Sequence, residues 1–83
     1  MQDEAEILAA VTKALIELFE LEPERIRPEA RLYEDLEIDS IDAIDLLDRL
    51  RQQTGQKIAA DRFRSVRTVS DLVSAIHALV QEG

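Results

Sequence analysis

Residues 32–50 read LYEDLEIDSIDAIDLLDRL and contain the most informative pattern in the chain. Seven acidic residues fall between Glu34 and Asp48, and no basic residue lies among them. From Ser40 onward the apolar residues return at helical spacing, without the strict alternation of a strand. The segment therefore predicts a helix that begins at Asp39-Ser40 and stops near Gly55, a residue suited to the left-handed position after a helix.

On a helical wheel this helix has an apolar half and an acidic half. Five residues of the apolar half are expected to face the core: Ala43, Ile44, Leu46, Leu47 and Leu50. The acidic half turns Asp42, Asp45 and Asp48 toward water, and Ile41 falls among them. Ile41 is either a contact point for a partner or a side chain that covers the core from the loop side, near Leu36 or Phe63. The wheel alone leaves both interpretations open.

The flanking sequence predicts two more long helices. The first runs from about Asp3 to Leu21, with one apolar face made of Ile7, Leu8, Val11, Ala14, Leu15, Leu18 and Phe19. The last begins after Thr68, because Thr68 and Asp71 have the spacing of a capping box. Its buried stripe comprises Val69, Leu72, Val73, Ile76, Leu79 and Val80.

Between these helices the sequence predicts a loop and a short helical turn. Pro23 and Pro28 bracket a long irregular connection, because neither fits a helix interior. Leu32, Tyr33 and Leu36 are expected to hold parts of that loop on the core, and residues 61–65 to form one short turn. The resulting fold is all-α, a single domain over residues 1–83, with three main helices and one short helix in a small bundle.

Composition restricts the possible functions. Eighteen acidic residues against ten basic ones give a net charge of −8, which argues against nucleic-acid binding and favours partners with basic surfaces. There is no cysteine, so any thiol must come from a prosthetic group. The longest apolar run, residues 7–11, is too short for membrane insertion, and the acidic N-terminus does not resemble a secretory signal. A cytoplasmic monomer is expected.

Asp39-Ser40 has both a structural and a chemical interpretation. Asp39 is a good helix cap, and a cap of this kind contributes about 0.5–2 kcal/mol. Ser40, in the first turn, is expected to point its hydroxyl outward beside unpaired N–H donors, where a phosphodiester would be favoured electrostatically. From these residues alone, the structural interpretation is the stronger one.

A family resemblance changes that balance. The string Asp35-Leu36-x-x-Asp39-Ser40-Ile41-Asp42 resembles the phosphopantetheine attachment motif of acyl carrier proteins. The similarity covers nearly the whole chain, and the features that carry it beyond the motif are the proline-containing loop, Gly55 followed by Ile58, and the Thr68-Val69-x-Asp71-Leu72-Val73 opening of the last helix.

The resemblance implies a carrier, not an enzyme. Ser40 would receive 4′-phosphopantetheine from coenzyme A, with a separate phosphopantetheinyl transferase and its Mg²⁺ as catalyst, and Asp39 would be read by that transferase. Acyl-loading enzymes, ketosynthases and other acyl-processing enzymes would be the later partners. The residues implied in docking are Glu37, Ile41, Asp42, Asp45 and Asp48. An acyl chain could enter between the helices.

The chain also departs from the family pattern. Glu37 stands where glycine is usual, and Ile41 replaces leucine. Asp48 takes an often apolar position, and Arg51 takes an often acidic one. The region of the short helix is basic through Arg62, Arg64 and Arg67. These differences favour a specialised pathway, of the polyketide or aryl-polyene kind, over ordinary fatty-acid synthesis.

Other interpretations fit less well. A calcium loop through Asp35, Glu37 and Asp39 fails, because its sixth position is Ser40 and its twelfth is Leu46. Loose cation binding to the acidic face stays open, and no metal site is predicted.

His77 is expected to be a boundary residue of the last helix. A peptidyl carrier of a nonribosomal pathway would show glycines before the serine, and an unmodified acidic adaptor is the alternative from another class.

Overall fold

The computed structural model describes residues 3–82, which form four helices and one 3₁₀ turn at Pro23–Arg25. The helices are α1 (Glu4–Phe19), α2 (Ser40–Thr54), α3 (Ala60–Phe63) and α4 (Val69–Glu82). The described residues contain no strand, only an isolated bridge between Arg31 and Thr68. The predicted all-α fold of three main helices and one short helix is confirmed.

The ends of α1 follow from its terminal residues. The Asp3 carboxylate accepts a hydrogen bond from the backbone N–H of Glu6 at 2.9 Å and so caps the first turn. Glu20 ends the helix in the left-handed conformation, at φ 53°, so the helix is slightly shorter than predicted. The fully buried members of its predicted apolar face are Ile7, Val11, Ala14 and Leu15.

Both α2 and α4 pack against α1, and their ends lie close to the predicted ones. Gly55 follows α2 at φ 75°, as its position predicted. The capping box of α4 is present, since the Asp71 N–H donates to Thr68 Oγ1 at 3.1 Å and the Thr68 N–H donates to Asp71 Oδ2 at 3.2 Å. The short helix α3 begins one residue before the start of the predicted turn and ends two residues before the end of that turn.

The long loop is held against α4 by backbone hydrogen bonds. The N–H of Val69 donates to the Ala30 carbonyl at 3.0 Å, and the N–H of Leu32 donates to the Arg67 carbonyl at 2.8 Å. Leu32 and Leu36 are buried as expected. The prediction for Tyr33 is wrong, because its side chain is 45% exposed.

Two groups of side chains differ from the sequence prediction. Ile44 was expected in the core but is 66% exposed. At 100° per residue it lies about 120° from Leu50, at the edge of the apolar half. The core also takes residues from outside the three main helices that had no predicted role there: Ile26, Ala30, Ile38, Ile58, Phe63 and Val66.

Candidate functional site

Ser40 is the first residue of α2, and its side chain is exposed. Immediately before it, Asp39 caps the helix: Asp39 Oδ1 accepts a hydrogen bond from the Asp42 N–H at 2.8 Å. In return Asp42 Oδ2 accepts one from the Asp39 N–H at 3.4 Å, which completes a capping box. The predicted cap is confirmed, and so is the exposure of the serine beside it.

The capping box leaves two backbone donors next to the serine. The first N–H groups of an α-helix have no partner within the helix, and the box satisfies those of Asp39 and Asp42. The N–H groups of Ser40 and Ile41 remain at the positive end of the helix dipole. This end of α2 therefore favours a negatively charged oxygen attached at Ser40.

The backbone before Ser40 is fixed by a buried side chain. Ile38 is only 2% exposed, and its N–H donates to the Leu32 carbonyl at 3.0 Å. Because the Leu32 N–H also donates to the Arg67 carbonyl, Leu32 links the segment that leads into α2 to the segment before α4. The serine is thus presented from an anchored backbone.

An ion-pair cluster stabilises the loop further upstream. Asp35 Oδ2 accepts from the backbone N–H of Arg31 at 2.8 Å, and the Arg31 guanidinium donates to both Asp35 oxygens and to Glu34. The hydrogen bond from the Arg31 backbone and then that from its guanidinium lower the pKa of the Asp35 carboxyl. The same side-chain bond, followed by the charges of Asp35 and Glu34, raises the pKa of Arg31.

Glu37 has a left-handed backbone, with φ 57°. Side chains with a Cβ adopt this conformation at a cost, and glycine does not. The glycine that is usual at this position in the resembled family would have the freedom that the turn requires. Glu37 is exposed, three residues before Ser40.

The face of α2 that follows Ser40 combines acidic and apolar side chains. Ile41 is 72% exposed, so the interpretation that it covers the core is wrong. Asp45 and Asp48 are exposed, as the wheel predicted. Asp42 is half-buried, so it is less exposed than the wheel predicted. Ile44 joins Ile41 on this surface and was missed as a surface residue. Its spacing, four residues after Ser40, is the sequence signal that places it there.

The remaining candidates lie elsewhere. His77 is partly buried at the edge of α4, as a boundary residue would be, with its Nδ1 3.8 Å from a Glu4 oxygen. Within residues 3–82, no group of three or more His, Cys, Asp or Glu side chains is arranged to hold a metal ion. The described helices include none that is long and apolar enough to cross a membrane.

Comparison with known proteins gives consistent matches over most of the chain. A family model described as a phosphopantetheine attachment site matches residues 9–76. Acyl carrier protein 2 of Ralstonia nicotianae is 44% identical over 77 residues, which cover 93% of this chain and 95% of that protein. The acyl carrier protein of Thermosynechococcus vestitus is 31% identical over 75 residues, 90% of this chain and 93% of that protein. The meromycolate extension acyl carrier protein of Mycobacterium tuberculosis is 32% identical over 77 residues, 93% of this chain and 67% of that protein.

Proposed function

Because this chain belongs to the acyl carrier protein family, we propose that Ser40 is its residue of 4′-phosphopantetheine attachment. Proteins of this family carry acyl groups and act as substrates of other enzymes, not as catalysts. The prosthetic group supplies the thiol that a chain without cysteine cannot provide. The observation that carries the assignment is an exposed serine at the start of α2, inside the attachment motif.

Attachment requires a nucleophilic oxygen that a transferase can reach. The Ser40 Oγ attacks the pantetheine-bearing phosphorus of coenzyme A, a new P–O bond forms, and adenosine 3′,5′-bisphosphate leaves. The transferase takes the serine proton, because the two carboxylates nearest in sequence, Asp39 and Asp42, are engaged in the capping box. The N–H groups of Ser40 and Ile41 then stabilise the charge of the phosphodiester. The chain's own contribution is exposure and orientation of one hydroxyl.

The attachment proposal is tested by intact mass. We expect the wild-type protein, incubated with coenzyme A and a broad-specificity transferase, to gain the mass of one phosphopantetheine group. Ser40→Ala should keep its helical circular dichroism and gain nothing. Ser74→Ala, which removes an exposed serine from α4, is the matched control and should be modified like wild type. Modification of Ser40→Ala, or none on the folded wild type, would contradict the proposal.

The surface around Ser40 supports a docking role in the same function. The family works with phosphopantetheinyl transferases and acyl-processing enzymes. Acyl-loading enzymes and ketosynthases would contact the apolar pair Ile41 and Ile44 and the surrounding acids: Glu37, Asp42, Asp45 and Asp48. A basic partner surface is drawn to those acids, and the two exposed isoleucines supply apolar contact area at its centre. Asp39 serves both the cap and the transferase.

The pathway belongs to the proposal as well. Asp48 and Arg51 change the family's usual docking face, which supports a carrier for a specialised polyketide-like or aryl-polyene pathway in the cytoplasm. A nonribosomal peptidyl carrier is disfavoured by Glu37-Ile38 in place of glycines. The intact-mass experiment distinguishes the carrier from the alternative of an unmodified adaptor, because an adaptor would gain no mass. Identification of the acyl group on protein from its native host tests the pathway itself.

A further inference from the structure

A shallow cavity of about 260 Å³ lies between the long loop and the segment that connects α3 to α4. The residues that line it include three arginines: Arg31, Tyr33, Glu34, Arg64, Val66 and Arg67. We call this set the arginine surface. It lies outside both the attachment motif and the acidic face of α2, so neither of them accounts for it.

The two walls of the arginine surface are joined through their backbones. Arg31 and Thr68 form an isolated bridge, and the N–H of Leu32 donates to the Arg67 carbonyl at 2.8 Å. Val66 is only 4% exposed and so fixes the second wall to the core. A partner that binds here meets a backbone that is already ordered, which lowers the entropy lost on binding.

Two of the three arginines carry the charge of this surface. The Arg31 guanidinium is already neutralised, because it donates to Glu34 Oε2 at 2.6 Å and to Asp35 Oδ1 at 3.2 Å. Arg64 and Arg67 are exposed, and neither takes part in an ion pair among the described residues. These two guanidinium groups are therefore available to an anionic partner.

The surrounding segment is basic as well. Residues 57–70 contain four basic residues and one acidic residue, and Arg62 of α3 is another exposed cation. The next acid, Asp71, is engaged in capping, because its Oδ2 accepts hydrogen bonds from the backbone N–H groups of Arg67 and Thr68 at 3.1 and 3.2 Å. The arginine surface is thus locally positive on a protein of net charge −8.

The chemistry of the arginine surface favours an acidic protein over other polyanions. Arginine pairs with carboxylates through two parallel hydrogen bonds, and tyrosine and arginine are enriched at the centres of protein interfaces. Tyr33, 45% exposed, adds apolar contact beside the cations. An extended nucleic acid or an anionic membrane would be repelled by the charge of −8 along its length. A compact patch of carboxylates meets chiefly the local positive site.

We infer that the arginine surface is a second docking surface, opposite in sign to the face of α2, and that it binds a carboxylate-bearing patch on a protein partner. Carboxylates of the partner pair with Arg64 and Arg67, and Tyr33 packs against the apolar part of the same patch. A basic partner is drawn to α2 and repelled here. The two surfaces therefore sort partners by the sign of their charge.

Charged peptides of equal length test this inference. The full-length protein, labelled with nitrogen-15, is titrated with hexa-aspartate, with uncharged hexa-asparagine and with hexalysine, in about 0.1 M salt to screen long-range repulsion. We expect hexa-aspartate to shift the amide resonances of Tyr33, Val66 and Arg67, and hexa-asparagine to leave them unchanged. Hexalysine should instead shift those of Asp45 and Asp48.

Paired variants identify the charges responsible. Arg64→Gln with Arg67→Gln should weaken hexa-aspartate binding about two- to tenfold, the range expected for two exposed ion pairs, and should leave hexalysine on α2. Arg51→Gln with Lys57→Gln makes the same change in net charge outside the arginine surface and should preserve the hexa-aspartate shifts. Both double variants should keep the helical circular dichroism of the wild type.

Three kinds of result would overturn the inference. The first is equal shifts with hexa-aspartate and hexa-asparagine, and the second is equal weakening by the two double variants. The third is a different ligand class: shifts as large with inorganic phosphate would indicate a general anion site, and tighter binding of phosphatidylglycerol vesicles would indicate a membrane site. The titrations use the unmodified protein, so none of these results bears on attachment at Ser40, which the mass gain tests separately.

Discussion

Glu37, just before α2, and Ser40, its first residue, have different roles: Glu37 adopts a strained backbone, and Ser40 is exposed. Glu37 has a positive φ of 57°, and the next residue, Ile38, is buried. The turn therefore needs a left-handed backbone so that Ile38 can enter the core and Ser40 can leave it. A glutamate meets this need at a cost, and its charge remains available to a partner.

We predict that Glu37→Gly raises the free energy of unfolding by about 0.5–1 kcal/mol. Glycine removes the left-handed penalty of about 1–2 kcal/mol, and part of this gain is lost to the greater entropy of the unfolded chain. Urea unfolding gives the measurement. Glu22→Gly is the matched control, because Glu22 has φ −73° and should only lose stability. A Glu37→Gly protein less stable than wild type would contradict the strain interpretation.

The Asp35 carboxyl predicts a pH dependence. Its pKa is lowered in the folded state, so the stabilisation is complete above about pH 4, the ordinary range of aspartate, and is lost as the pH falls through the lower folded value. Asp35→Asn should therefore show a shallower loss of stability on acidification, measured by thermal unfolding across pH. Arg31→Gln should remove only part of the effect, since the backbone N–H of residue 31 remains. If the loss of stability at acidic pH were the same in Asp35→Asn as in wild type, this prediction would be wrong.

For single residues, the sequence predicts exposure and capping where local rules decide them, and it is wrong where burial depends on distant neighbours. The outward Ser40 and the cap at Asp39 follow from local rules that act within one turn. Ile44 and Tyr33 do not, because apolar character predicts burial only when a neighbour covers the position. Only the four-residue spacing from Ser40 indicates the exposure of Ile44, and no local pattern reports that Tyr33 is exposed.

Among the elements, α2 bears the site, and its first turn depends on reciprocal capping. The bond between Asp39 Oδ1 and the Asp42 N–H is short, at 2.8 Å, whereas the return bond at 3.4 Å is weak. Most of the capping energy therefore belongs to the Asp39 side chain.

Asp39→Ala should cost about 0.5–2 kcal/mol of stability, whereas Asp39→Asn should keep most of it, because both asparagine and aspartate are good caps. Modification by the transferase provides the second measurement. If the transferase reads the charge, Asp39→Asn will be stable but slowly modified. Equal stability of the alanine and asparagine variants would show that the cap contributes little.

The helices were more predictable than the connections between them. Periodicity and capping signals located α1, α2 and α4 to within about two residues, the usual uncertainty of helix ends. The loop residues Ile26 and Ile38 and the inter-helix Ile58 and Val66 have no periodic neighbours. Their burial follows from tertiary packing and from the backbone bonds of the loop, which local sequence does not encode.

The whole molecule has a net charge of −8, and the segment from Glu34 to Asp48, which surrounds Ser40, carries seven acidic residues and no basic one. Asp45 is exposed on that face, and the basic residues near α3 lie on a different part of the chain. Long-range attraction of a basic partner is therefore directed toward the start of α2.

Asp45→Lys should slow modification by the transferase about two- to tenfold at low salt, and less at high salt, because ions screen the attraction between exposed charges. Initial rates at several salt concentrations provide the measurement. Glu22→Lys makes the same charge change in the loop after α1 and should have a smaller effect. Equal slowing by both variants would mean that only net charge matters, and no slowing by either would mean that the acids are merely solvated.

The exposed position of Tyr33 makes it an internal optical reporter. The chain contains no tryptophan and no second tyrosine, so its near-ultraviolet emission comes from this phenol alone. The carbonyl of its neighbour Leu32 accepts a hydrogen bond from the Ile38 N–H, which brings the backbone at residue 33 close to the segment that leads into α2. Quenching of that emission would therefore register the approach of an enzyme without any attached dye.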